Sequence, residues 1–171
     1  MHPNAAQIER LYRAFEALDG KTMQACYAPD AVFRDEAFEL EGAQAIGAMW
    51  QMLCEAARDR GAANWRLAYS GVEADDEQGR AHWEPQYLFG PQGRRVHNIV
   101  DAEFRFRDGL IVSHVDRFDF VRWSRQALGP AGWLFGWSPW LRAKVRKQAA
   151  RGLARWRRQR GMAATGGSPP G

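Results

Sequence analysis

In the segment "GLIVSHVDRFDF", Gly109 to Phe120, a histidine and an aspartate stand two residues apart. Strand alternation puts His114 and Asp116 on the face that Leu110, Val112, Phe118 and Phe120 make apolar, and turns Asp119 to the other side. Two ionisable groups on an otherwise apolar face cost several kcal/mol unless they are partnered. At about 7 Å between i and i+2 positions, the extended side chains are expected to share a ligand or water rather than to bond directly. The same chemistry is available to Asp35, which ends the alternating segment "DAVFRDEAF" on the side of Phe33. A carboxylate in an apolar pocket has a raised pKa and becomes a competent proton acceptor or donor near neutrality. The structural alternatives are a histidine–aspartate pair that orders the sheet and, for Asp35, a turn cap at a strand end.

These residues need elements to hold them. Ile8, Leu11, Tyr12, Phe15 and Leu18 follow helical spacing until "LDG"; Thr22 can cap a short second helix through Tyr27. Ile46, Met49, Trp50 and Leu53 predict a third helix to about Arg58. Then come "NWRLAYSGVEA", "RAHWEPQYLF", "RRVHNIVDAEFRF" and the His114 segment, joined by short turns such as "RDG". Long strands with tight connections predict an antiparallel meander. Helices first and strands after give an α+β order: a curved antiparallel sheet wrapping N-terminal helices, with an apolar conical interior. Along "RRVHNIVDAEFRF", Val96, Asn98, Val100, Ala102, Phe104 and Phe106 face inward and His97, Asp101, Glu103 and Arg105 outward. A one-residue slip would expose five large apolar groups. Asn98 thereby comes towards Asp116, where its amide can orient a carboxylate or donate to a ligand oxygen. Trp50, Trp83, Tyr87 and Phe104 are core aromatics that can also line a pocket. His82, Glu84 and Gln86 share the outer face of their strand, solvated or at a subunit contact.

The net charge of +4 is unevenly spread: Arg142 to Arg160 hold nine Lys or Arg and no acid, and the remaining chain has 15 basic against 20 acidic residues. The basic character thus belongs to one segment, and nucleic acid is not an expected partner. Five of the eight Trp lie from Trp123 onward. Ser138-Pro139 is a helix start, followed by an apolar stripe of Leu141, Val145, Ala149, Leu153 and Trp156. That helix either docks on its own domain or a second subunit, or meets an anionic membrane through residues 133–160 with "WLFGW" as an interfacial anchor. Domain limits of 1–125, a Trp-rich and basic extension at 126–160 and a flexible tail at 161–171 follow. Cys26 and Cys54 fall on helical apolar stripes and read as reduced core thiols. No signal-peptide pattern, membrane-length run, metal spacing, nucleotide-binding glycine loop or nucleophile elbow occurs. The expectation is a cytoplasmic protein without cofactor or metal.

The helix pair, "YAPDAVFRD", the third helix and a meander ending "FRDGLIVSHVDRFDF" together resemble the nuclear transport factor 2-like superfamily, with its cone-shaped cystatin-like fold. The resemblance runs from Gln7 to Trp123 and is nearest to SnoaL-like proteins, relatives of ketosteroid isomerase and limonene epoxide hydrolase. It implies a homodimer through the outer sheet face and, by matching motifs, catalytic positions at Asp35 ("DAVFRD") and Asp116 ("VDRFD"), with His114 as partner. Other family positions do not carry over. The isomerase's oxyanion tyrosine falls on Leu11, with Tyr12 one residue off, and the hydrolase's arginine and second aspartate fall on Trp83 and Pro85. The implied function is cofactor-independent acid–base chemistry of isomerase, cyclase, hydrolase or dehydratase type on a small hydrophobic molecule. The alternative is a non-catalytic ligand-binding or scaffold domain whose basic tail finds a membrane or protein partner.

Overall fold

The computed structural model describes residues 1–162; the flexible tail expected at 161–171 lies, from residue 163 on, outside the described residues. Helix α1 (Pro3–Glu16) begins behind His2, whose ring nitrogen accepts the Asn4 N–H, and buries Ile8, Leu11, Tyr12 and Phe15. The short α2 (Gly20–Gln24) is capped by Asp19 rather than by Thr22, since the Asp19 carboxylate accepts both the Thr22 N–H and the Thr22 hydroxyl. Strand β1 (Tyr27–Arg34) and the short β2 (Glu39–Glu41) lead into α3 (Ala43–Asp59). Strands β3 (Arg66–Ala74), β4 (Gln78–Phe89), β5 (Arg94–His97), β6 (Val100–Arg107) and β7 (Leu110–Phe118) follow, then helices α4 (Phe120–Leu128), α5 (Pro130–Phe135) and α6 (Pro139–Gln159).

The sheet runs β2-β1-β7-β6-β4-β3, with β5 beside β4, and all pairs are antiparallel except β1 with β7. Its inner face and α1 and α3 enclose the main core. The inward set foreseen for β6 holds: Val100, Ala102, Phe104 and Phe106 are buried and the residues between them exposed.

Three local departures set the site. Opposite Arg105 and Phe106, β7 skips Val112, so Ser113 pairs Arg105 while Ile111 pairs Phe106. This bulge shifts the parity. Ile111, not Leu110 or Val112, joins His114 and Asp116 on the inner face. On β1 the chain bulges between Tyr27, which pairs Ile111, and Val32, which pairs Ser113. Four residues lie between the two register points, and Tyr27 and Phe33, six positions apart, both reach inward. The strand expected to run from "RRVH" into "DAEF" is broken at Asn98–Ile99, opposite Pro85. A proline has no N–H to give to a ladder, and there the Asn98 N–H donates to the Pro85 carbonyl instead. The strand also ends earlier than the alternation of Phe118 and Phe120 suggests: Asp119 accepts the Arg122 N–H and caps α4 at Phe120.

The basic extension packs on the domain rather than standing apart from it. Helix α6 is capped by Ser138, as expected. Leu153 enters the main core, with Ala149 and Trp156 against it. Leu141 and Val145 join Phe120 and Trp123 in a second cluster. Arg142 pairs Glu36 at 2.6 Å, Arg146 donates to the Asp35 and Glu36 carbonyls, and Arg160 pairs Glu55. Cys26 and Cys54 are buried free thiols, pushed up to about 11 and about 12 by burial. No helix among the described residues is long and apolar enough to cross a membrane.

Candidate active site

The inner end of the sheet, α3 and α6 bound a cavity of about 490 Å³, within the usual size of small-molecule sites. Its wall is mostly hydrocarbon and aromatic, including Phe33, Met49, Trp50, Trp83, Phe118 and Trp123. Six polar side chains interrupt that wall: Asp35, Asp116, Tyr87, Asn98, Arg60 and Gln148.

Asp116 reaches the cavity from β7 and is 4% exposed. Its Oδ1 accepts two N–H bonds, from Trp83 Nε1 at 3.1 Å and from His114 Nε2 at 2.9 Å. The direct His114–Asp116 bond corrects the expectation that i and i+2 side chains stand too far apart. The imidazole turns along the strand, held by Phe104 at 4.3 Å and Phe33 at 5.0 Å between ring centres.

Behind His114 stands Tyr27, expected at the end of the second helix; that helix stops at Gln24 and Tyr27 opens β1. Tyr27 Oη lies 2.8 Å from His114 Nδ1 and accepts from Trp50 Nε1 at 3.0 Å. An indole N–H can only donate, so the Tyr27 proton is the one directed at Nδ1. With Nδ1 accepting from Tyr27, the Nε2 proton of His114 goes to Asp116. Trp50, Tyr27, His114 and Asp116 form one directed chain ending at the cavity. Oδ2 of Asp116 takes no hydrogen bond from the described residues. Burial drives the Tyr27 hydroxyl pKa well above its ordinary value, with the Trp50 N–H opposing and the Asp116 charge adding.

Asp35 enters from the end of β1 and is held differently. Its Oδ1 accepts the Ala37 and Phe38 N–H groups at 2.7 and 2.6 Å. It is thus the turn cap that strand-end acids commonly are, and it is also part of the cavity wall. Burial pushes its carboxyl up to about 7; the Phe38 N–H opposes this and the neighbouring Asp116 charge adds to it. Close to neutrality Asp35 is divided between acid and carboxylate. Tyr87 Oη accepts Trp123 Nε1 at 2.9 Å, leaving its own proton free for the cavity. Burial raises its pKa to about 12 against the Trp123 bond, and the Asp35 charge contributes. Asn98 uses Oδ1 on the Ile99 N–H at 3.1 Å and leaves its amide N–H groups for the cavity.

Of the residues singled out in the sequence, Asp35, Asp116, Asn98, Trp50, Trp83 and Tyr87 share this wall. His114, Phe104 and Tyr12 lie behind it. His114 acts on the cavity through Asp116. Tyr12 is 1% exposed, packed on Tyr69 and Trp83, and its hydroxyl has no partner. Sequence reasoning missed Tyr27 and the α6 residues Val145, Gln148, Ala149 and Gly152, which close one side. Tyr27 was hidden by its assignment to the second helix, although counted into β1 it shares the parity of Phe33; for α6, the apolar stripe was the available signal. Among the described residues no three His, Cys, Asp or Glu side chains gather as a metal site.

Residues 8–114 match the SnoaL-like domain family, and the chain belongs to it. No functionally curated protein matches the chain. Among solved structures it is similar to an LEH-like epoxide hydrolase of M. tuberculosis, with 20% identity, a TM-score of 0.58, and coverage of 74% of this chain and 90% of that one. An NTF2-like protein of unknown function from Burkholderia pseudomallei K96243 gives 20%, 0.59, 74% and 98%. A protein provisionally named a polyketide cyclase, from Xanthomonas campestris pv. campestris, gives 18%, 0.58, 72% and 96%. At these identities the likeness is one of fold.

Proposed function

We propose that the protein is a cofactor-independent acid–base enzyme for a small hydrophobic molecule, with Asp116 as base and Asp35 as its acid counterpart. One observation carries the reading. Two carboxylates open on a single apolar cavity, and their surroundings differ: two N–H donors hold Asp116 Oδ1, whereas burial keeps Asp35 partly protonated at neutral pH. Paired carboxyl groups separated in this way divide the roles of acceptor and donor. Asp116 takes a proton from a substrate carbon beside a carbonyl through its free Oδ2. The electrons move onto the carbonyl oxygen, where the Tyr87 hydroxyl, the Asn98 amide or the protonated Asp35 can donate a hydrogen bond. His114 is a positioning residue that fixes the carboxylate through Nε2.

Epoxide opening and cyclisation, the chemistries in the names of two structural neighbours, also require a base and an acid across an apolar pocket. By sequence spacing, the arginine and second aspartate of limonene epoxide hydrolase fall on Trp83 and Pro85. The present wall is therefore better suited to proton abstraction than to holding a hydrolytic water.

The test is hydrogen–deuterium exchange beside the carbonyl of hydrophobic cyclic ketones, followed by NMR in heavy water. Asp116→Asn is expected to slow exchange by about 100-fold or more while ketone affinity, read by tryptophan quenching, stays the same. Exchange by the intact protein no faster than by Asp116→Asn, with binding retained, would replace the enzyme by a ligand-binding domain.

A further inference from the structure

The cavity makes no use of the aromatic segment before α6. Trp133, Leu134, Phe135, Trp137 and Trp140 are 64, 65, 45, 73 and 59% exposed. Chain packing forces them outward. A Cβ on Gly132 would lie 1.9 Å from the Ser124 carbonyl oxygen, and one on Gly136 would lie 2.5 Å from Ser124 Oγ. These two glycines let α5 lie flush on α4, and the large side chains between and beside them have only solvent to face. Trp137 Nε1 already donates to the Leu134 carbonyl at 3.0 Å, so its ring can leave water without stranding a donor. A contiguous apolar patch of this kind marks a contact surface.

A second surface continues from it. Trp140, Lys144, Lys147, Arg151, Arg155 and Arg158 recur every three or four residues, so they share one face of α6, and all six are exposed. That stripe spans about 27 Å of helix. It is the face left over once the opposite side has docked on the domain. Arg142 and Arg160 have carboxylate partners; the five stripe cations have none among the described residues. Beyond Asp119 the sequence has no Asp or Glu. The two surfaces join: the Phe135 and Trp140 rings meet edge-on at 5.9 Å, Lys144 Nζ sits 5.2 Å over Trp140, and Arg125 lies 4.4 Å over Trp133.

We infer that this joined surface docks on an anionic lipid bilayer, with residues 133–140 inserted at the interface and the outer stripe of α6 laid along the headgroups. Tryptophan-rich wedges settle at the level where hydrocarbon meets headgroup, and nearby cations are drawn to anionic lipid. The apolar stripe of α6 is already buried in the domain, so the helix lies on the bilayer instead of sinking into it. Nucleic acid would engage the cations and leave five large apolar side chains in water. A symmetric contact between two copies would bring the two basic stripes together.

The full chain is mixed with vesicles of phosphatidylcholine, with and without a fraction of phosphatidylglycerol, then sedimented while tryptophan emission is recorded. The expected result is binding to the anionic vesicles alone, with a blue shift, weakened by salt. Lys147→Gln/Arg151→Gln/Arg158→Gln is expected to lower affinity roughly fivefold per charge removed. Trp133→Ser/Trp137→Ser/Trp140→Ser is expected to abolish the blue shift and cut binding about tenfold or more, with the far-ultraviolet circular dichroism of both variants unchanged. Three outcomes overturn the inference. They are protein left in the supernatant with both vesicles; duplex DNA bound more tightly than anionic vesicles and indifferent to the tryptophan substitutions; and a self-association without lipid that those substitutions dissolve. 

Discussion

Strands β4, β6 and β7 carry histidine–carboxylate clusters on both faces of one sheet. On the inner face His114 meets Asp116 at 2.9 Å, with side chains 0 and 2% exposed. On the outer face His82 bridges Asp101 at 2.8 Å and Glu84 at 3.0 Å, while His97 meets Glu84 at 2.7 Å; these side chains are 34 to 79% exposed. Distances and residue types are nearly the same. Water and second partners differ. Outside, solvent screens each pair, and such contacts add little to stability. Inside, each hydrogen-bonding group must be answered by protein, and Tyr27, Trp50 and Trp83 do so. One step along a strand thus decides whether a histidine and an aspartate form a solvated surface pair or a dry, fully partnered one.

Removing a partner from each face probes that contrast. The largest effect on stability is expected from Tyr27→Phe, which strands Trp50 Nε1 and His114 Nδ1 in a dry core. Urea unfolding should show a loss of about 2–3 kcal/mol, and the imidazole becomes free to change tautomer. No loss would mean that the inner chain is as dispensable as the outer one.

Next comes Asp35→Asn, through its pH dependence. Burial raises the folded-state pKa of Asp35 from 3.8 to about 7. The folded protein therefore holds this proton more tightly than the unfolded chain does. That contribution is complete below about pH 4 and is lost as pH rises towards 7. Asparagine keeps the acceptor for the Ala37 and Phe38 N–H groups and avoids the buried charge. The variant should match the parent near pH 4 and exceed it at pH 8 by on the order of 2 kcal/mol, allowing for the group's contact with cavity water. Thermal melts across that range measure it, and parallel curves would show Asp35 to be solvated.

The smallest effect belongs to His82→Gln. Hydrogen bonds donated to Asp101 first and to Glu84 second raise the His82 pKa. Its contribution is present at acidic pH and fades as pH passes upward through the raised value. The expected loss is under about 0.5 kcal/mol near pH 6 and nothing at higher pH. A larger loss that varied with protein concentration would place the outer cluster in a contact between copies.

The contrast was partly legible in the sequence. Uninterrupted alternation along β6 put Asp101 outside and Asn98 inside, and the structure keeps both. The stripe of α1, the Ser138-Pro139 start of α6 and the inward His114 and Asp116 were equally readable. What escaped lies where chain phase changes. The skipped Val112 exchanges Leu110 and Val112 for Ile111, and the second helix stops at Gln24, so that Tyr27 begins β1 and meets His114. Asp119 was read only as the wrong side of a strand. Its role as a helix cap was available from its type, since aspartate is favoured at that position. The Trp50–Tyr27–His114–Asp116 chain could not be read from any single segment, because its members come from α3, β1 and β7.

Helix α6 has a consequence for how this protein could change its preferences. The family match ends at residue 114, yet Val145, Gln148, Ala149 and Gly152 help enclose the ligand space. On the proposed reading, β1 and β7 supply the reactive carboxylates, and helix α6 supplies part of the mould around them. Gly152 has nothing within 4 Å of the position its Cβ would take, so a larger side chain there can be accommodated without disturbing the carboxylates. On that reading, ligand choice can diversify at α6 while the carboxylate pair stays in place, as a lock is rekeyed by changing pins and keeping the bolt.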